Sequence, residues 1–320
     1  MMKLAYNGKA DSRAYKDALS ATLIDILEKD ADAIYLDADL MSCIGMASYA
    51  KNHPDRAIQC GVAEANMMGV AAGLAAAGFK PFAHSFGPFA SRRSYDQVFL
   101  SAGYAKNDIT VIGSDPGVCA AFNGGTHMPF EDMALYRALP TATVFDITDT
   151  AMLESVLRQC NNLPGVKYIR VGRKAPIKVY EDGSEFTIGR AVPLREGDDV
   201  LLVASGIMVA EALRAADMLA EEGIQASVLD MFTVKPLDTD TLLTYAAKTR
   251  AVVTAENHNR VGGLFAAVSE ALAQKLPLPV EYVAVEDEYG EVGPQDYLQK
   301  RFGLTAEHIA EKARAAIARK

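Results

Sequence analysis

Ala57-Ile58-Gln59-Cys60-Gly61-Val62-Ala63-Glu64-Ala65-Asn66 is the stretch on which the fold turns. The run Ala57–Cys60 reads as a short strand. It stops at a glycine, and a carboxylate then stands at the head of a helix of very small residues beginning at Ala65. A strand running straight into a helix is the repeating unit of a parallel sheet, and the same alternation extends to either side. Upstream, a helix from about Ala14 precedes a strand at Ala33–Asp37. Downstream come strands at Pro81–Ser85, Ile109–Gly113, Thr143–Phe145 and Val166–Val171, with helices predicted over Ala90–Tyr104 and Thr150–Gln159. These elements make an α/β domain over residues 1–174.

From residue 175 to 195 the pattern loosens into polar, turn-rich sequence that reads as a connector. A second α/β unit occupies 196–320, with strands at Val200–Ala204, Ala226–Asp230, Ala251–Glu256 and Val280–Val283 and helices between and after them. The expected fold class is therefore α/β, with two domains, each a mainly parallel sheet flanked by helices. A chain of 320 residues suits two domains at roughly 100 to 200 residues each. No short-period repeat or low-complexity tract interrupts it.

Composition narrows the function. Net charge is -9, and the basic residues are scattered rather than clustered, which excludes the electrostatic footprint of a nucleic-acid binder. Cys43, Cys60, Cys119 and Cys160 show no CxxC spacing, so buried thiols in a reducing cytoplasm are expected, not a zinc site or a disulfide framework. The start of the chain lacks a signal-peptide profile, and there is no apolar run of about 18 residues to span a membrane. Dinucleotide, P-loop, zincin and nucleophile-elbow motifs are missing. Val261-Gly262-Gly263-Leu264 opens a helix and reads either as an anion site or as a plain glycine-rich helix entry.

Three places put polar or glycine-rich residues directly after predicted strands, where parallel sheets hold their ligands. One is Cys60–Asn66 with Glu64, which taken alone reads equally as a first-turn acid favouring the helix dipole. Another is His84-Ser85-Phe86-Gly87-Pro88-Phe89, followed by Ser91–Gln97; Phe86 and Phe89 could face one flat ligand or pack in the core. The last is the long loop Ser114–Asp132, which contains His127. Loops of that length in a βα connection are usually functional.

Taken together, these stretches resemble the transketolase family over nearly the whole chain, specifically its pyrimidine-binding and C-terminal domains. Glu64 falls on the glutamate that contacts the aminopyrimidine of thiamine diphosphate, and Phe86 and Phe89 on the aromatic wall beside that ring. Gly125-Thr126-His127-Met128-Pro129 is similar to the Gly-Pro-Thr-His-Gln-Pro loop, which places His127 on the active-site histidine. Asp39 matches an acidic residue near the cofactor. Val228–Asp238 and Glu256–Gly263 resemble signatures of the C-terminal domain.

The resemblance implies thiamine diphosphate chemistry in which a carboxyl at the ring nitrogen drives the aminopyrimidine towards its basic form. Glu64, placed beside two phenylalanines, is expected to hold its proton more tightly than usual. The Gly-Asp-Gly and downstream Asn that hold magnesium and diphosphate in the family are not found in this chain. They are expected on a separate N-terminal subunit, in a heterotetramer with two copies of each chain.

At the substrate end the chain departs from the pattern. Asn123 stands where the family has an acid reading an acceptor hydroxyl, and Ser114-Asp115-Pro116 replaces a His-Asp-Ser run. Arg170 and Arg173 remain as candidate anion ligands, or as members of surface ion pairs. The expectation is a transferase of two-carbon ketol units whose sugar differs from the usual xylulose and ribose phosphates. The alternatives are the beta subunit of a 2-oxo acid dehydrogenase, a deoxyxylulose-phosphate-synthase-like subunit and a non-catalytic scaffold that has kept the fold.

Overall fold

A computed structural model describes residues 3–320. Two sheets carry the chain. The first is formed by seven strands, β1 (Ala33–Asp37), β2 (Ala57–Gln59), β3 (Lys80–Phe86), β4 (Ile109–Ser114), β5 (Thr143–Asp146), β6 (Val166–Val171) and β10 (Thr233–Lys235), in the order β10-β5-β6-β4-β3-β1-β2. All its pairings are parallel except β10 with β5. The second is formed by five strands, β7 (Val192–Arg195), β8 (Val200–Ala204), β9 (Ala226–Asp230), β11 (Val252–Asn259) and β12 (Val280–Val285), in the order β12-β11-β8-β9-β7, with only β7 antiparallel. Strands β1, β4, β5, β6, β8 and β9 are buried along their whole length between helical layers, mostly on apolar residues, with Asp37, Asp146, Lys167, Arg170 and Asp230 the charged members.

The order of the first sheet creates the site. After β1 the chain turns to β2 on one side and then crosses to β3 on the other, so β1 and β3 flank a switch point at their carboxyl ends. A crevice opens there because the connections leave in opposite directions. Asp37, Phe86 and Ser114 end β1, β3 and β4 on this edge.

Three elements depart from the sequence reading. The helix predicted over Ala90–Tyr104 is broken into Gly87–Ala90, Tyr95–Gln97 and a π-helical turn, Val98–Tyr104. Serine hydroxyls take the backbone acceptors at the break: Ser91 Oγ donates to Gly87 O and Ser94 Oγ to Phe89 O, at 2.7 and 3.0 Å. Strand β7 falls inside the stretch read as a connector. Strand β10, from the second half of the chain, completes the edge of the first sheet.

The two domains share one core. Phe145 on β5 stacks with Phe232 just before β10, and Phe186 packs edge-on to Phe232. Beneath them Arg170, fully buried on β6, is the electrostatic centre of the junction. Its Nε donates to Asp132 Oδ2 at 2.8 Å, its Nη1 lies 3.0 Å from Asp146 Oδ1, and its Nη2 donates to Asn257 O at 2.9 Å. The guanidinium stays charged because the two aspartates outweigh its desolvation, and its pKa lies above the ordinary value. Asp146 accepts in turn from Ser205 Oγ.

Arg170→Met would strand two buried carboxylates. It is expected to cost about 3–5 kcal/mol of stability, the loss that follows removal of one partner of a buried ion pair. Urea denaturation checks this, and a loss under about 1 kcal/mol, in the range of exposed pairs, would show the cluster to be solvated.

Candidate functional site

Glu64 is the first residue of the helix Glu64–Ala76 and is only 3% exposed. Gly61, at φ +70°, makes the turn from β2 into that helix, a backbone region that glycine enters without strain. Arg93 donates from Nη1 to Glu64 Oε1 at 2.7 Å, so the carboxylate faces a guanidinium as well as an aromatic wall. Among the described residues no group bonds the second oxygen.

The wall is a chain of ring contacts. Phe86 and Phe89 are half-buried with centroids 6.4 Å apart, and the imidazole of His127 stands edge-on to both, at 5.9 and 5.1 Å. The Arg93 guanidinium carbon lies 3.8 Å from the centroid of Phe89, and that of Arg173 lies 4.8 Å from Phe86. Glu64, Arg93, Phe89, His127, Phe86 and Arg173 therefore form one continuous surface along the carboxyl edge of the sheet.

His127 sits in a loop held in place by the second domain. Asn257 accepts from Val118 N at 3.0 Å and donates to Pro116 O at 2.9 Å. Gly117, at φ +50°, leaves no room for a side chain: an added Cβ would lie 2.1 Å from Asn257 Oδ1. A Cβ on Gly125 would meet Gly290 O at the same distance. The His127 Nδ1 is 2.9 Å from Thr126 Oγ1. Partial burial, and then Arg93 and Arg92, lower its pKa below the ordinary 6.5, so the ring is neutral near pH 7 and can accept as well as donate a proton.

Next to the rings, a cavity of about 510 Å³ is lined by Lys16, Arg173, Lys174, Asp115, Asn123 and Phe122, among others. Asp115 accepts from Arg173 Nε at 2.5 Å. Burial raises the Asp115 carboxyl and Arg173 opposes this. Asp115 and Asp39 both adopt positive φ, at +58° and +66°, on the same sheet edge. Strained backbone of this kind gathers at functional sites.

The predicted residues divide accordingly. Glu64, Phe86, Phe89 and His127 converge, and Arg173 and Asn123 line the adjoining cavity. Arg170 is corrected: it is fully buried against Asp132 and Asp146 and is closed to any ligand. Asp39 is exposed and contributes its N–H to Gln59 Oε1, whereas the buried acid at this point is Asp37. Asp37 accepts from Tyr35 OH and lies 2.8 Å from His84 Nδ1, whose Nε2 is 3.0 Å from Ser114 Oγ. The glycine-rich entry at Gly263 is capped from within the chain: Glu256, whose pKa burial raises to about 7, accepts from Leu264 N and Phe265 N at 2.7 and 2.8 Å. Sequence reasoning did not single out Arg93, Lys16 or Lys174, although the Ser91–Gln97 run that contains Arg93 belongs to one of the three marked places. Among the described residues no cluster of three His, Cys, Asp or Glu side chains is placed to hold a metal ion, and no helix is long and apolar enough to cross a membrane.

Comparison with known proteins agrees with this architecture. Residues 11–176 match the family "Transketolase, pyrimidine binding domain" and residues 189–309 match "Transketolase, C-terminal domain". The chain is 46% identical over 319 residues to the 6-deoxy-6-sulfo-D-fructose transketolase subunit SqwH of Clostridium sp. (strain MSTE9), covering 100% of this chain and 99% of that protein. It is 33% identical over 301 residues to an apulose-4-phosphate transketolase subunit of Phocaeicola vulgatus, covering 94% and 96%. The solved structure "Split gene transketolase, inactive beta4 tetramer" superposes with a TM-score of 0.89 at 37% identity, covering 97% of this chain and 100% of that one.

Proposed function

Because this chain belongs to the transketolase family, we propose that it is the pyrimidine-binding subunit of a split, thiamine-diphosphate-dependent transketolase that moves a two-carbon ketol unit from an anionic ketose to an aldose. The observation that carries this reading is the convergence of buried Glu64 with Phe86, Phe89 and His127 on one sheet edge. Those groups would suit an aminopyrimidine: it would have an aromatic ring to lie against and a carboxyl with an unpartnered oxygen to meet its ring nitrogen. Magnesium and the diphosphate would be held by a partner subunit, in a heterotetramer with two copies of each chain.

Thiamine diphosphate, when bound, supplies the carbanion stabilisation by which the ketose carbon–carbon bond breaks. This chain's residues prepare the site for it. With the cofactor bound, Glu64 would share a proton with the ring nitrogen, Phe86 and Phe89 would keep water from it, and the neutral His127 would exchange protons with sugar hydroxyls.

The cavity beside Phe86 sets the substrate class. Lys16, Arg173 and Lys174 would attract an anionic terminus, yet Asp115 lies directly on Arg173 and offsets one of the charges. A singly charged sulfonate suits this balance better than a phosphate carrying about -1.5 to -2. The relatives named above act on a sulfonated and a phosphorylated sugar, so both termini have precedent in the family. Assays of the reconstituted enzyme should give a higher kcat/KM with 6-deoxy-6-sulfofructose than with xylulose 5-phosphate. Arg173→Ala should raise the KM for the sulfosugar by about tenfold, the loss of one charge-assisted hydrogen bond. Dominant efficiency on xylulose 5-phosphate would overturn the sulfonate assignment.

A further inference from the structure

We propose that Arg93 is a built-in occupant of the aminopyrimidine seat, which it holds until the ring displaces it. This rests on the reading of Glu64 and Phe89 as the residues that receive that ring. A flat heterocycle carrying N–H groups needs two things there: an aromatic face to lie against and a carboxylate to bond. The Arg93 guanidinium, itself flat and rich in N–H donors, already takes both, at 3.8 Å from the Phe89 centroid and 2.7 Å from Glu64 Oε1. At 3.8 Å two planes are in van der Waals contact, so no second layer fits between them.

The two partners differ in freedom. Glu64 is fixed as the first residue of a helix and its side chain is 4% exposed, whereas the Arg93 side chain is 46% exposed and starts from the turn between Gly87–Ala90 and Tyr95–Gln97. Arg93 can swing into solvent; Glu64 cannot follow. The neighbouring Arg92 is tied elsewhere, to Glu131 Oε1 and Thr126 O, and does not reach Glu64. Arg93 thus keeps a buried carboxylate paired while the seat is otherwise empty, which such a charge requires. The consequence is competition, because the apparent affinity for the ring falls by the fraction of molecules in which the guanidinium has moved away.

Thiamine itself, without diphosphate, is the probe, titrated calorimetrically into the full chain. Arg93→Met keeps the aliphatic stem over Phe89 and removes the donor and the charge. It is expected to bind thiamine about tenfold more tightly than the natural chain, as removal of a competitor that fills roughly nine seats in ten would give. Adding Glu64→Gln to Arg93→Met should abolish the gain. Should Arg93→Met not fold, Arg93→Lys, which keeps the charge but loses the planar fork, should bind more tightly than the natural chain by a smaller factor. Equal or weaker binding by the Arg93 variants, with Glu64→Gln alone still weakening the natural chain, would overturn the Arg93 proposal and leave the seat assigned. Thiamine binding indifferent to Glu64 would overturn the seat, and the proposal with it.

Discussion

Glu64→Gln is expected to lower the turnover of the reconstituted enzyme by about 10²- to 10⁴-fold, the range for loss of a positioned proton-sharing group. The substitution preserves size and the Arg93 contact can persist through the amide oxygen, so the fold is retained. What is lost is the acid. An amide cannot share a proton with the ring nitrogen, and exchange of the cofactor C2 hydrogen for deuterium should slow together with turnover. The change is not expected to unfold the chain, because the Arg93 side chain is 46% exposed and water can replace its lost charge partner. A thermal melt close to that of the natural chain, alongside slowed exchange, separates a chemical role from a structural one. Unchanged exchange would return Glu64 to the plain role of a first-turn acid favouring the helix dipole.

Much of this architecture is legible in the chain because parallel strands covered on both faces must be apolar throughout. Val200–Ala204, Val-Leu-Leu-Val-Ala, announces itself in this way. The elements that escape are those whose partners lie far off in sequence. Thr233–Lys235 has no pattern of its own, and it becomes a strand only because β5 of the other domain offers an open edge. Val192–Arg195 is equally short and lies in a polar stretch.

The candidate site divides along the same line. Glu64 and Phe86 stand at or just past the ends of strands, and His127 lies in the long loop that follows another, so their common edge can be inferred from the alternation. The fate of Arg170 cannot, because an arginine near the end of a strand suits a ligand-binding role or a buried one. Only the folded chain brings Asp132 and Asp146 to it. Arg93 is hidden for the opposite reason. Its run is predicted as part of one unbroken helix, Ala90–Tyr104, and the break at Ser91–Ser94 that turns the guanidinium onto Glu64 depends on hydroxyls bonding backbone oxygens within the run.

The central claim is that this chain holds one half of an active site. Glu64, the ring wall and His127 converge on one sheet edge of this chain. The most direct test is ketol transfer by the purified chain with thiamine diphosphate and magnesium, measured alone and after addition of a separate subunit carrying Gly-Asp-Gly and its downstream Asn. The account predicts no turnover from the chain alone and full activity on mixing; robust turnover by the isolated chain would contradict it.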